Sequence, residues 1–229
     1  MENIAIIGAG AWGTALAMVA RRAGRNVVLQ AHEPEVAAAI NGSHENSLFL
    51  PGMALDPEIR ATNDPAEAAA DADAVLLAVP AQFLRAVLTG FSGNLPSGAP
   101  VVICAKGIEQ GTLALMSEIC EEVVPQAPVA VLSGPTFAAE VAEDRPTAVT
   151  LASADEALGV GLSEALGTPR FRIYRSDDTI GAQVGGAVKN VLAIGCGIVE
   201  GRGLGDNAKA ALITRGLAEI VRLGLAKGA

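Results

Sequence analysis

Aromatic side chains are scarce in this 229-residue chain, which has one tryptophan, one tyrosine and five phenylalanines. That scarcity implies a core built from aliphatic side chains and removes most hot-spot clues to a subunit interface. Basic charge is also short: 16 lysines and arginines stand against 25 acids, a formal net charge of −9. No nucleic-acid partner is expected, since no basic face is evident to replace the counterions of a phosphate backbone. Any anionic ligand must then be held by local donors. The three cysteines, Cys104, Cys120 and Cys196, have neither metal nor redox spacing, so reduced, buried thiols in a cytoplasmic protein are expected. His32 and His44 have no Ser or Cys partner at a nucleophile spacing, and no HExxH or CxxC pattern occurs. No metal site is expected. No signal peptide is expected, because the first apolar run is short and passes directly into glycines. The run Ile180–Val199 is apolar enough to be weighed as a membrane span. Lys189, Asn190 and five glycines interrupt it, so a buried helix is expected instead, and no transmembrane segment.

Aliphatic residues and glycine are plentiful: 51% of the chain is hydrophobic and 26 residues are glycine. The stretch that organises the rest is Ile4-Ala5-Ile6-Ile7-Gly8-Ala9-Gly10-Ala11-Trp12-Gly13-Thr14-Ala15-Leu16-Ala17. A short apolar strand breaks at Gly8, and helix formers resume after Gly13. The spacing is G-x-G-x-x-G at a strand-to-helix turn, a dinucleotide-binding pattern. Gly8 permits the turn, Gly10 lets the backbone approach a pyrophosphate, and Gly13 lets helix and strand pack closely. The N–H groups and dipole of the following helix then face the anion.

Further along, Asn26–Gln30 reads as a second strand, and Ala31-His32-Glu33 follows it. An acid at the end of that strand would bind a ribose 2′-OH and repel a 2′-phosphate. Here the acid is delayed to Glu33 and His32 is free to meet a phosphate, so NADPH and NADH both remain open. Asp64 is placed as the N-cap of a short helix with Pro65 at its first position. Apolar runs over 74–79, 101–104 and 129–132, without alternation, indicate parallel strands covered on both faces; 148–151 and 171–174 extend the sheet. From about Asp177 helical patterns dominate. The expected fold is α/β: a Rossmann-type, doubly wound, mostly parallel sheet over residues 1–182, followed by an all-helical domain beginning at 183–229. Asp206 is placed as the N-cap of the last helix. One helical hairpin buries too little to stand alone, so this second domain is expected to be incomplete.

Ligands on such sheets bind beyond the carboxyl ends of the strands. Lys106, directly after a strand, and Ser133-Gly134-Pro135-Thr136 lie there. Lys106 suits a phosphate or a carbonyl oxygen, and Gly134 and Thr136 offer neutral donors. Lys189 is the one charge in the apolar run Gly185–Gly195. Desolvation would lower its pKa and fit it for proton transfer near neutral pH, the step that alcohol–ketone interconversion asks of the protein. Arg215 and Glu219 are spaced for a surface or interdomain ion pair.

Four ordered blocks carry a resemblance: Gly8-Ala-Gly-Ala-Trp-Gly-Thr-Ala-Leu-Ala, Lys106-Gly-Ile-Glu109, Ser133-Gly-Pro-Thr-Phe-Ala138 and Gly185-Gly-Ala-Val-Lys-Asn190. Asn41, Phe49-Leu50-Pro51 and Leu212–Glu219 support them. Together they closely resemble bacterial NAD(P)-dependent glycerol-3-phosphate dehydrogenases. The resemblance implies reduction of dihydroxyacetone phosphate to sn-glycerol 3-phosphate, a precursor of membrane phospholipids, by a homodimer using NADPH or NADH. It places Ala11, Trp12, His32, Lys106 and Ala138 against the cofactor, with the glycine loop. Lys106, Gly134, Thr136 and Lys189 line the substrate, and Lys189 moves the proton. It also implies a helical domain like that of 6-phosphogluconate dehydrogenase. Two departures stand out. Ala11 replaces a serine common in the family, and the family's later substrate-gripping segments, one with aspartate and one with Ser-Arg-Asn, are not among these residues. Competing readings are another dehydrogenase of the same superfamily acting on a hydroxy acid, and a non-catalytic NAD(P)-binding sensor.

Overall fold

The computed structural model describes all 229 residues. Strand β1 (Asn3–Ile7) leads through the glycine turn into helix α1 (Ala11–Arg22), followed by β2 (Asn26–Gln30), α2 (Pro34–Ser43), β3 (Arg60–Thr62), α3 (Pro65–Ala69) and β4 (Ala74–Leu77). Next come α4 (Leu84–Phe91), β5 (Val101–Ile103), α5 (Met116–Val123), β6 (Val129–Ser133), α6 (Ala138–Ala142), β7 (Thr147–Ala152), α7 (Glu156–Leu166) and β8 (Phe171–Ser176). Two long helices close the chain, α8 (Thr179–Gly201) and α9 (Asp206–Lys227).

All eight strands join one sheet in the order β3-β2-β1-β4-β5-β6-β7-β8. The first six are parallel; β7 runs antiparallel to β6, with Leu132 opposite Leu151, and β8 is parallel to β7. The order reverses between β1 and β4, which opens a crevice above their carboxyl ends. Alternation along β1 sends Ile4 and Ile6 into one core layer and Ala5 and Ile7 into the other, and all four are buried. A strand covered on both faces has no polar side to show, hence its unbroken apolar run.

Asp64 caps α3, its carboxylate accepting from the Ala66 amide at 2.8 Å, with Pro65 at the first helical position. Three expectations are corrected. The cap of α9 is Gly205, at φ +84°, and Asp206 is the first helical residue, because the tight turn after α8 demands a left-handed backbone. Cys104 and Cys120 are buried, but Cys196 on α8 is partly exposed. Burial pushes the Cys104 thiol up and the Cys120 thiol up to about 12, leaving both as packing groups.

The third correction concerns α8, which is not buried. Only Gln183, Val184 and Gly186 are buried, whereas Val191, Ile194 and Ile198 are exposed. Its first turns rest on the sheet domain, where Gln183 Oε1 accepts from the Ser117 amide at 2.9 Å and Gln183 Nε2 donates to Ser117 Oγ at 2.9 Å. Beyond that α8 is covered along one side by α9, with Leu192 seated against Gly216. It is the one helix long and apolar enough to cross a membrane, but Lys189 and its docked first turns make it a packing helix. Arg215 and Glu219 form the expected surface pair at 2.6 Å.

A Cβ at Gly13 would overlap the Gly8 carbonyl oxygen, while a Cβ at Gly10 would meet nothing within 4 Å. Gly13→Ala is therefore expected to cost about 2 kcal/mol or more of stability, a drop of roughly 4–8 °C in Tm. Gly10→Ala should melt close to the parent in the same thermal unfolding experiment.

Candidate active site

The turn after β1 is built from backbone. Gly8 adopts φ +108°, and its amide donates to the Gln30 carbonyl at 3.1 Å, tying the loop to β2. A Cβ on Gly8 would lie 3.0 Å from the Ala78 carbonyl carbon, so only glycine lets the loop pass beside β4. Helix α1 starts from an extended Gly10, with no side chain capping it and no acid in its first turn. Its first N–H groups are therefore available to an anion.

A cleft of about 1040 Å³ opens above the carboxyl ends of β1, β2, β4 and β5. Gly8, Gly10, Ala11 and Trp12 form its floor, with His32 and Glu33 at one end and Lys106, Thr136, Ala138 and Lys189 towards the other. Gly134 lines an adjoining cavity of about 370 Å³, with Ser133, Asp178 and again Lys189. Gly13 lies under the loop, where it sets the close contact of strand and helix. The structure thus gathers most of the residues singled out in the sequence around two hollows that share Lys189.

Trp12 Nε1 is buried without a hydrogen-bond partner. Above its ring, at 5.9 Å from the centroid, stands the Lys106 ammonium, close enough for a cation–π attraction. Lys106 Nζ donates to the Gly134 carbonyl at 2.6 Å. Burial lowers the Lys106 pKa, and the charge of Lys189 lowers it further. Lys106 and Lys189 are both half-buried, and Lys189 stands on the wall of the cleft. The burial read for Lys189 from the apolar run is only partial, because much of α8 is uncovered. The two lysines meet because α8 passes tightly over β6. A Cβ on Gly186 would come to 2.7 Å from Ser133 Oγ and 3.5 Å from Lys106 Cγ.

The loop behind Lys106 is stapled to α4. Arg85 Nε and Nη2 each donate to the Glu109 carboxylate at 2.9 Å, and Thr112 Oγ donates at 2.5 Å. Gln82, just before α4, donates to the Ile108 carbonyl at 2.8 Å and accepts from the Gln110 amide at 2.9 Å. The sequence had offered Glu109 only as part of a block. Phe49 and Phe137, present in the sequence reading only within the blocks of resemblance, also line the cleft with Phe83 and Asn63, which carry no periodic or spacing signal.

Residues 3–159 match the model of the NAD-dependent glycerol-3-phosphate dehydrogenase N-terminus, and residues 178–229 match that of its C-terminus. The chain belongs to the NAD-dependent glycerol-3-phosphate dehydrogenase family. Curated relatives called glycerol-3-phosphate dehydrogenase [NAD(P)+] include that of Rhodospirillum rubrum, 66% identical over all of this chain and 66% of its own length. That of Caulobacter vibrioides is 60% identical, over all of this chain and 69% of the relative. The chain thus spans about two thirds of the length of these relatives. Among solved structures, the glycerol-3-phosphate dehydrogenase of Coxiella burnetii superposes with a TM-score of 0.94 at 38% identity, covering 100% of this chain and 70% of that one.

As a member of this family the chain takes a nicotinamide dinucleotide, and the cleft suits one. Bare glycines at 8 and 13, where a Cβ would strike backbone, hold the loop tight against β4 and α1 and leave open space at Gly10; α1 presents uncapped N–H groups, and the Trp12 indole N–H is a buried donor with no partner in the protein.

The Arg85 guanidinium, and after it the Thr112 hydroxyl, hold the Glu109 carboxyl below the usual glutamate range. A depressed pKa contributes stability that is full above the unfolded value and is lost as pH falls through the folded value. Glu109→Gln should therefore be less stable than the parent at pH 7. The gap should close as pH is lowered past the ordinary glutamate pKa of about 4.3, read by thermal unfolding against pH.

Proposed function

We propose that this chain supplies the cofactor site and much of the substrate site of an enzyme that interconverts dihydroxyacetone phosphate and sn-glycerol 3-phosphate, using NADPH or NADH. The observation that carries the reading is the meeting of Lys106 and Lys189 beside Trp12 and Gly134, at one end of a dinucleotide-sized cleft. In a chain of net charge −9, two adjacent ammonium groups form a local field for a phosphate dianion. Lys106 exchanges its bond to the Gly134 carbonyl for one to the substrate, and the Thr136 hydroxyl and Gly134 backbone complete that end of the site.

Reduction of the ketone needs a hydride at carbon and a proton at oxygen. The nicotinamide, when bound, supplies the hydride. Lys189 gives the proton to the carbonyl oxygen, and takes it back in the reverse direction. Cofactor choice lies at the end of β2, which terminates in Gln30 and Ala31. His32 is exposed and positioned to meet a 2′-phosphate. The Glu33 side chain makes no capping bond to α2 and is free to accept from a 2′-hydroxyl. Both cofactors are accepted on this reading.

The functional division we place between residues 182 and 183, within α8, so that the part after it carries Lys189 as well as Gln183 and Gly186, which dock on the sheet domain. A cytoplasmic homodimer whose product feeds glycerophospholipid synthesis completes the proposal. No observation favours a hydroxy-acid dehydrogenase or a sensor. A UDP-D-ManNAc dehydrogenase structure at 16% identity and a ketopantoate reductase structure at 22% share the fold alone.

The test is NADPH oxidation by the protein in its full natural length, with dihydroxyacetone phosphate and, separately, a 2-keto acid. Lys189→Ala should lower kcat by roughly 10²–10⁴-fold and leave cofactor affinity within about twofold. Unchanged turnover in Lys189→Ala, or turnover of the keto acid alone, would contradict the proposal.

A further inference from the structure

Thirty-seven residues after Ala9 in sequence, a buried asparagine reaches back to the glycine loop. Asn46 is 1% exposed, and its Nδ2 donates to the Ala9 carbonyl and to Thr14 Oγ, each at 2.8 Å. Its Oδ1 accepts from the Phe49 amide at 3.2 Å. The Thr14 hydroxyl, fully buried, donates in turn to the Ala9 carbonyl at 3.3 Å. Every polar atom of the Asn46 side chain is thus engaged, and all three contacts end on segments bordering the cleft.

We infer that Asn46 is a positioning residue for the cofactor loop; the inference rests on the dinucleotide site proposed above. The peptide between Ala9 and Gly10 is planar and trans, so its C=O and N–H point in opposite directions. Fixing the Ala9 carbonyl towards the core by two donors aims the Gly10 N–H the other way, towards the cleft where Gly10 has nothing within 4 Å of a Cβ. The same amide fixes Phe49, whose side chain lines the cleft. Asn46 therefore sets two borders of the dinucleotide site without touching the ligand. Removing it leaves the Ala9 carbonyl with the single, longer bond from the Thr14 hydroxyl at 3.3 Å, and the cost falls on ligands that use the loop's N–H groups. Such ligands carry a pyrophosphate.

Binding is measured by displacement and calorimetry with NADPH, ADP and adenosine as probes. Asn46→Ala should weaken NADPH and ADP about tenfold each and leave adenosine within about twofold. Thr14→Val, which removes one of the two acceptors, should weaken the first two severalfold, and Thr14→Ser should restore them. A folded Asn46→Ala that binds NADPH like the parent would overturn the inference, as would equal loss of all three probes, the mark of a merely structural role. Should Asn46→Ala not fold, the Thr14 pair decides: Thr14→Val and Thr14→Ser behaving alike would overturn it. A parent that binds neither NADPH nor ADP would instead remove the dinucleotide reading itself, and this inference with it.

Discussion

Everything in this molecule depends on one close approach, where the chain leaves β1 and doubles into α1. A Cβ at Gly13 would overlap the Gly8 carbonyl, and a Cβ at Gly8 would press on the backbone of Ala78. Because both positions are bare, α1 packs directly against the strand it follows, and its N-terminus faces the crevice between β1 and β4. The sheet's reversal of order at that place supplies the crevice, and the helix supplies the electrostatics. Helices on both faces bury β4 and β5 completely and β1 from Ile4 onward, so the loop stands on a rigid base. A ligand site built from backbone N–H groups needs such a base, since no side chain can adjust to make up for a misplaced peptide.

The second theme is positive charge placed locally within an acidic protein. Lys106 and Lys189 come from different elements, a strand end and a long helix, and meet only because Gly186 lets α8 lie against Ser133 and the Lys106 stem. Burial and repulsion from the Lys189 charge disfavour the charged form of Lys106. The Glu109–Arg85 staple and the indole face of Trp12 hold Lys106 against that repulsion.

Much of this was legible in the sequence because it is written locally. The glycine loop, the unbroken apolar strands and the Asp64-Pro65 helix start each occupy a few consecutive residues whose chemistry forces one backbone path. Strand β3 was missed because three residues, Arg60–Thr62, carry no period. The reversed direction of β7 depends on how the chain crosses after β6, which composition does not encode. Asp206 looked like a cap, but the left-handed turn required glycine at the position before it. The apolar character of α8 was read as burial, yet apolar residues show only that a helix can be covered, not that neighbours are present. Asn46 gave no signal at all, since a buried asparagine is defined by partners distant in sequence.

The most direct measurement uses Trp12, the single tryptophan, which lies in the floor of the cleft with its indole N–H buried and unpartnered. Its fluorescence should be quenched saturably as NADPH or NADH is titrated into the chain, and the ratio of the two affinities should report the balance between His32 and Glu33. A folded chain, verified by circular dichroism, whose Trp12 emission responds to neither cofactor and which shows no calorimetric binding would contradict the account at its centre.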